Sequence, residues 1–276
     1  MYKSMKKYEL DELNKISNEM RKDVIKMAYK GCSSHVGSSL SIIDILTVLY
    51  FKFLNINILN FETKNRDKFI LSKGHASSAL YSILVKRGFI KKEILDTYYT
   101  NGCALSGHPK RNSIPGIEAS TGSLGHGLAI ACGLSLSDKT DNRGNKTVVL
   151  MGDGECNEGS VWESAMFASA RKLNNLIAIV DNNKLQGLGR AENIVGSYRL
   201  VEKWQAFNWN VIEIDGHDYD EIYVALKNAY NEKDRPTVII AHTIKGKGVS
   251  FMEDKLEWHY KSPNEEEYKS AIKELM

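Results

Sequence analysis

"TVVLMGDGECNEG" at residues 147–159 and "LIAIVDNNKLQ" at 176–186 decide the fold. Each opens as an unbroken apolar run and then breaks abruptly into glycines or short oxygen-bearing side chains. A continuous rather than alternating apolar run is the mark of a strand buried on both faces, as in a parallel sheet covered by helices. Three further runs share the pattern: "KFILS" at 68–72, "NVIEI" at 210–214 and "TVIIA" at 237–241. Helical spacing fills the intervals. Leu10, Leu13, Ile16, Met20, Val24 and Met27 place a long amphipathic helix over 8–30. Ser41 reads as the N-cap of a second helix, "IIDILTVLYFKFL". Others are expected at 76–87, 122–137, 158–172 and 219–230, and "SPNEEEYKSAIKEL" reads as a capped, charged terminal helix. The fold class is therefore α/β: a doubly wound, mainly parallel sheet with helices on both faces, residues 1–276 forming a single domain.

The residues that follow each run point to the chemistry. They are "KGHASS", "GDGECNEG", "DNNKLQG", "DGHD" and "HTIKGKG", all small, polar or titratable. Open α/β sheets bind ligands beyond the carboxyl ends of their strands. The long loop over 100–120, with its glycines and prolines, also reads as functional. Asp153 stands between Gly152 and Gly154, and a helix follows whose free N–H groups suit a phosphate. Asp153, Asn183 and a backbone carbonyl near Leu185 offer three oxygens, and two phosphate oxygens with one water would complete an octahedron around Mg²⁺. The competing reading is a tight Gly-Asp-Gly turn and an Asp-Asn-Asn loop whose side chains cap their own backbone.

Composition narrows the classes. The chain has 276 residues, 42% hydrophobic and 26% charged, with a net charge of +3, which is too weak to imply nucleic acid. Four cysteines at 32, 103, 132 and 156 form no CxxC pair and read as free thiols of a reducing compartment. No stretch approaches the ~18 apolar residues that would suggest a membrane span. The N-terminus lacks the apolar core of a secretory signal, so the cytoplasm is expected. "GSLGHG" at 122–127 lacks the spacing of a dinucleotide fingerprint, no Walker A sequence occurs, and no histidines pair at i, i+4 as a zinc site would require.

"GDGECNEGSVWESAMFASARKLNNLIAIVDNNKLQ" resembles the thiamine diphosphate motif, which opens on Gly-Asp-Gly and closes on Asn-Asn. The order of "SSHVGSSLS" (33–41), "LSKGHASSALY" (71–81), "SGHPK" (106–110), "STGSLGHGLAIACG" (120–133), "DGHD" (215–218) and "HTIKGKG" (242–248) resembles that of transketolases. The length is similar to the N-terminal, diphosphate-binding subunit of a split transketolase. The resemblance implies that Asp153, Asn183 and the Leu185 carbonyl bind Mg²⁺, for which Ca²⁺ or Mn²⁺ substitutes. It implies that His75, Gly122, Ser123, Leu124, Gly125, Gly152, Gly154, Glu155 and His259 join Asp153 and Asn183 in contacting thiamine diphosphate. His35, His75, His108 and His259 are the implied catalytic histidines, suited to hydroxyl binding and proton transfer by their ordinary pKa near 6.5. Glu158 matches a glutamate at the subunit interface that relays protons. His126 is expected to be structural or near the cofactor and His217 structural rather than catalytic, and Lys245 and Lys247 either meet phosphate or are solvated.

The resemblance also implies a missing half. The glutamate that activates the cofactor lies on a pyrimidine-binding domain, expected here on a C-terminal partner subunit in an α₂β₂ assembly. The implied reaction moves a two-carbon ketol unit from a ketose phosphate to an aldose phosphate. Alternatives are half of a 1-deoxyxylulose-5-phosphate synthase-like enzyme, a 2-oxo acid dehydrogenase alpha chain, or a non-catalytic cofactor-binding subunit.

Overall fold

A computed structural model of the chain describes residues 5–195 and 199–276. It opens on α1 (Lys7–Lys30), α2 (Val36–Leu40) and α3 (Ile43–Val48), and α3 runs into a π turn at Leu49–Phe53. Then come β1 (Lys68–Leu71), α4 (Ser77–Lys86), α5 (Gly127–Thr140), β2 (Thr147–Gly152), α6 (Gly159–Ala170) and β3 (Leu176–Asn182). A short hairpin, β4 (Leu185–Gln186) with β5 (Gly189–Arg190), leads to α7 (Ala191–Val195) and α8 (Leu200–Ala206). The chain closes with β6 (Asn210–Asp215), α9 (Tyr219–Asn231), β7 (Thr237–His242) and α10 (Glu265–Glu274).

Five strands form one parallel sheet in the order β1-β2-β3-β7-β6. The continuous apolar runs are explained by its two covered faces. Phe69, Leu71, Val148, Leu150, Ile177, Ile179 and Ile239 share one core with α1, α3, α4 and α9. Their neighbours Ile70, Val149, Met151, Ala178, Val180, Val238 and Ile240 share the other with α5, α6 and α8. The inner strands therefore send alternate side chains into separate apolar layers, whereas the edge strand β6 leaves Glu213 exposed. Register then does the functional work. Gly152 pairs with Asp181, Asn182 with His242, and Asp215 with His242, which gathers four strand ends on one edge.

The elements differ from expectation where side chains found other partners. Ser41 does not cap a helix; its hydroxyl donates to the Ser38 carbonyl at 3.0 Å and to Asp181 Oδ2 at 2.7 Å. Helix α5 begins at Gly127 rather than at 122, because Gly122 (φ 140°) and Gly125 (φ 84°) hold backbone angles that no right-handed helix contains. The terminal helix is capped as expected, Asn264 accepting from the Glu267 N–H at 2.9 Å. It docks on α1 through a Tyr29–Tyr268 stack with centroids 4.6 Å apart.

Leu150 is fully buried on a central strand, whereas Leu59 is 90% exposed. Leu150→Ala is expected to cost about 2–5 kcal/mol in chemical denaturation. Leu59→Ala should stay within about 0.5 kcal/mol of the parent.

Candidate active site

Beyond the carboxyl edge of the sheet lies a cavity of about 460 Å³. His35, His75, His108, His259, Gly122, Leu124, Gly152, Asp153, Gly154, Glu155, Glu158, Asn183 and Leu185 all line it. Residues drawn from stretches more than two hundred positions apart are thus brought to one place. Ser123 and Gly125 lie outside the lining. Gly125 sits just behind it, where its N–H donates to Glu155 Oε1 at 2.9 Å. His126 is exposed at the start of α5, its Nδ1 3.1 Å from the Leu124 carbonyl.

The oxygen donors sit on a tight turn. Asp153 is buried, and its Oδ1 accepts from the Gly154 N–H and its Oδ2 from the Lys184 N–H, both at 2.7 Å. Asn183 Oδ1 accepts from the Leu185 N–H at 3.1 Å. Lys184 takes the left-handed conformation (φ 63°), which reverses the chain between Asn183 and Leu185. A carboxylate, an amide and a main-chain carbonyl are hard oxygen ligands of the type that Mg²⁺ or Ca²⁺ accepts. The Leu185 carbonyl already accepts from a cation, the Lys245 ammonium, at 3.0 Å.

Two buried carboxylates hold these loops, and sequence reasoning assigned a structural task to neither. Asp181, fully buried, accepts from Lys73 Nζ and Thr243 Oγ1, from Ser41 Oγ at 2.7 Å and from Asn183 Nδ2 at 2.9 Å. Burial pushes its pKa up, but the Lys73 charge and these hydrogen bonds outweigh it, and the carboxyl lies below its ordinary value. Glu155 accepts from Ser72 Oγ, from Gly125 N–H and from Gly152 N–H at 3.2 Å. Its carboxylate is thus spent on joining three loops, and burial raises its pKa against those bonds. Glu158 occupies the N-cap position of α6 at the rim, exposed and without a side-chain capping bond.

The four histidines form a further wall, which meets the oxygen donors where Lys245 Nζ reaches both the Leu185 carbonyl and His259 Nδ1. His35 stands 5.0 Å from His75 and 5.1 Å from His259, ring centroid to centroid, and its main-chain N–H donates to the His259 carbonyl at 2.9 Å. The His108 ring lies against Gly122, where an added Cβ would come within 2.6 Å of it. Burial, then the charges of His108, Lys245 and Lys73, lowers the His35 pKa to about 4. Burial and the charges of Lys245, His35 and Lys73 lower that of His259 to about 3. His75 is held well below its ordinary value and His108 is lowered by burial. At neutral pH these rings are uncharged and can each donate and accept a hydrogen bond.

Lys245 is the cation of this wall, 1% exposed and so not solvated. Its Nζ is 2.7 Å from His259 Nδ1. Burial and Lys73 lower its pKa to about 8, the charges of Asp181 and Asp153 opposing. Lys247 instead lies near Glu253, at 3.7 Å. Ser38, Lys73, Gln186 and Tyr260 also line the cavity and had no assigned role. For Lys73 the signal was present, a lysine that opens a strand-end motif directly after the apolar run of β1.

Because His35 and His259 resist protonation when folded, the unfolded chain binds more protons between the ordinary value of 6.5 and their lowered values. Stability is then fully present above pH 6.5 and falls as the pH drops. Calorimetric melting between pH 6.5 and 5 should show this decline, and a His35→Asn/His259→Asn variant should show a shallower one.

Residues 13–275 match the family model described as "Transketolase, thiamine diphosphate binding domain". The chain is 40% identical to an apulose-4-phosphate transketolase subunit of Phocaeicola vulgatus, over 97% of this chain and 95% of that one. It is 41% identical to the 6-deoxy-6-sulfo-D-fructose transketolase subunit SqwG of a Clostridium species, over 96% of each. It superposes on the crystal structure of Campylobacter jejuni transketolase with a TM-score of 0.90 at 32% identity, covering 95% of this chain but 42% of that one. With the sheet, the strand-end cavity and these matches together, the chain belongs to the transketolase family and carries its thiamine diphosphate-binding domain.

Proposed function

We propose that this chain is the diphosphate-binding half of a two-chain transketolase, transferring a two-carbon ketol unit from a ketose phosphate to an aldose phosphate. The observation that carries this reading is the meeting, in one cavity, of a hard oxygen set with four uncharged imidazoles. Asp153, Asn183 and the Leu185 carbonyl would hold Mg²⁺, with Ca²⁺ or Mn²⁺ as substitutes. Gly122, Gly152 and Gly154 would lie along the cofactor, where side chains would obstruct it, and Leu124 would lie beside them. Gln186 supports the fit: it lines the cavity, and its buried Nε2 has no hydrogen-bond partner among the described residues, so a donor is available to a phosphate oxygen.

When bound, thiamine diphosphate supplies the nucleophilic carbon that the transfer needs. His35, His75, His108 and His259 hold the sugar hydroxyls, and a neutral ring can take a hydroxyl proton at one nitrogen while donating at the other. A neutral wall suits a polyhydroxylated substrate, because charged rings would compete for the phosphate group. The Lys245 ammonium, desolvated, offsets diphosphate charge more strongly than a solvated lysine would.

A second subunit is expected to supply the activating glutamate and the pyrimidine pocket, in an α₂β₂ assembly. The Phocaeicola and Clostridium relatives are themselves named as subunits of their transketolases. Glu158, exposed at the rim, would face that second subunit. The chain spans 42% of the Campylobacter enzyme, whose remaining length is what the partner would correspond to. Free cysteines at all four positions fit a cytoplasmic location, and among the described residues no helix is long and apolar enough to cross a membrane.

Calorimetric titration of the co-expressed pair with thiamine diphosphate should give tight binding with Mg²⁺ and at least tenfold weaker binding in EDTA. Asp153→Ala should remove the Mg²⁺-dependent part. If the loaded pair moves no two-carbon unit between ketose and aldose phosphates, or accepts pyruvate as donor instead, the reaction assignment fails.

A further inference from the structure

The "DGHD" turn after β6 carries His217, which does not line the cavity yet is bonded to the segment that supplies its buried lysine. His217 Nε2 accepts from the Ile244 N–H at 2.8 Å. A main-chain N–H can only donate, so Nε2 bears a lone pair and the ring proton is on Nδ1. That nitrogen lies 2.8 Å from Asp44 Oδ2, to which it donates. Asp44 is itself fixed: Arg21 Nη2 donates to Oδ2 at 2.6 Å and the Tyr219 hydroxyl to Oδ1 at 3.0 Å. Arg21 Nε also donates to the Lys247 carbonyl at 3.2 Å.

The segment 243–247 is therefore gripped at both ends by groups that converge on Asp44, with Lys245 between the grips. The Gly246 N–H donates to the Gly37 carbonyl at 3.0 Å and seats the same segment on α2. From there Lys245 Nζ reaches the Leu185 carbonyl and His259 Nδ1. We propose that His217 is a positioning residue for the cavity: as the Nδ1-protonated tautomer it receives the Ile244 N–H and thereby fixes the turn that carries Lys245 to Leu185 and His259. What this does for thiamine diphosphate rests on the reading of the cavity given above. The link from His217 to the turn does not.

Two isosteres separate the two ring nitrogens. His217→Asn retains a donor to Asp44 but leaves the Ile244 N–H without an acceptor, whereas His217→Gln can set an amide oxygen near the Nε2 position. Hydrogen–deuterium exchange of peptides covering 243–247 should accelerate at least tenfold in the Asn variant and remain near the parent in the Gln variant. Titration of the co-expressed pair with thiamine diphosphate and Mg²⁺ should show affinity weakened at least fivefold in the first variant only. Nitrogen-15 spectra of histidine-labelled protein should show His217 protonated at Nδ1 and bare at Nε2. The proposal is overturned by unchanged exchange in the Asn variant, by equal loosening in both variants alongside a global fall in melting temperature, or by the opposite tautomer. Should the parent pair bind no thiamine diphosphate, the cavity reading fails while the exchange data still decide the role of His217.

Discussion

Asp181 and Lys73 form an ion pair that is fully removed from water, at 0% and 1% side-chain exposure. A pair in such a place is a poor source of stability by itself, because desolvating two charges offsets their attraction. Its value lies in what it organises. Asp181 stands where β3 ends, Lys73 follows β1, Ser41 follows α2, and Thr243 follows β7. A single carboxylate thus ties four segments of the carboxyl edge together and orients Asn183 from behind. Any shift of one segment leaves a buried charge or hydroxyl unmatched, at a cost of about 1–3 kcal/mol for a neutral group and more for a charged one. That constraint makes the cavity a fixed object rather than a set of loops.

Around this hub the charges are arranged by depth. Glu155 repeats the device on the other side, joining the loops after β1 and β2 to Gly125. Asp44 repeats it beneath the 243–247 turn. Asp181 and Asp44 anchor loops from behind the cavity, while the lining itself combines neutral rings with two desolvated lysines, Lys73 and Lys245, and with the acids Asp153, Glu155 and Glu158. Asp181 and Asp44, outside the lining, position donors without meeting a ligand.

The sheet is legible in the sequence because both its faces are buried, and strand-length runs without a polar residue arise in few other settings. Its strand ends are legible for the same reason, since polar residues can begin only where the helices stop covering it. Asp153 and Asn183 stand out as oxygen donors in small surroundings. Asp181 does not, although it is close to both asparagines, because a carboxylate's partners at positions 41, 73 and 243 are set by tertiary packing alone. Ser41 misleads for a related reason: a serine before an apolar run matches a helix cap locally, and only the fold shows that Asp181 claims its hydroxyl. The start of α5 falls five residues later than the pattern suggests because glycine angles are not visible in a sequence. Lys245, readable as phosphate-facing or solvated, is decided by burial.

The dependence of these loops on the central pair is tested by a double-mutant cycle in chemical denaturation, with Lys73→Met, Asp181→Asn and the two combined. Each single change strands a buried charge or its donors and should cost about 3–5 kcal/mol. The combined variant should cost clearly less than the sum of the two. Additive effects, or single changes that leave stability untouched, would contradict the account.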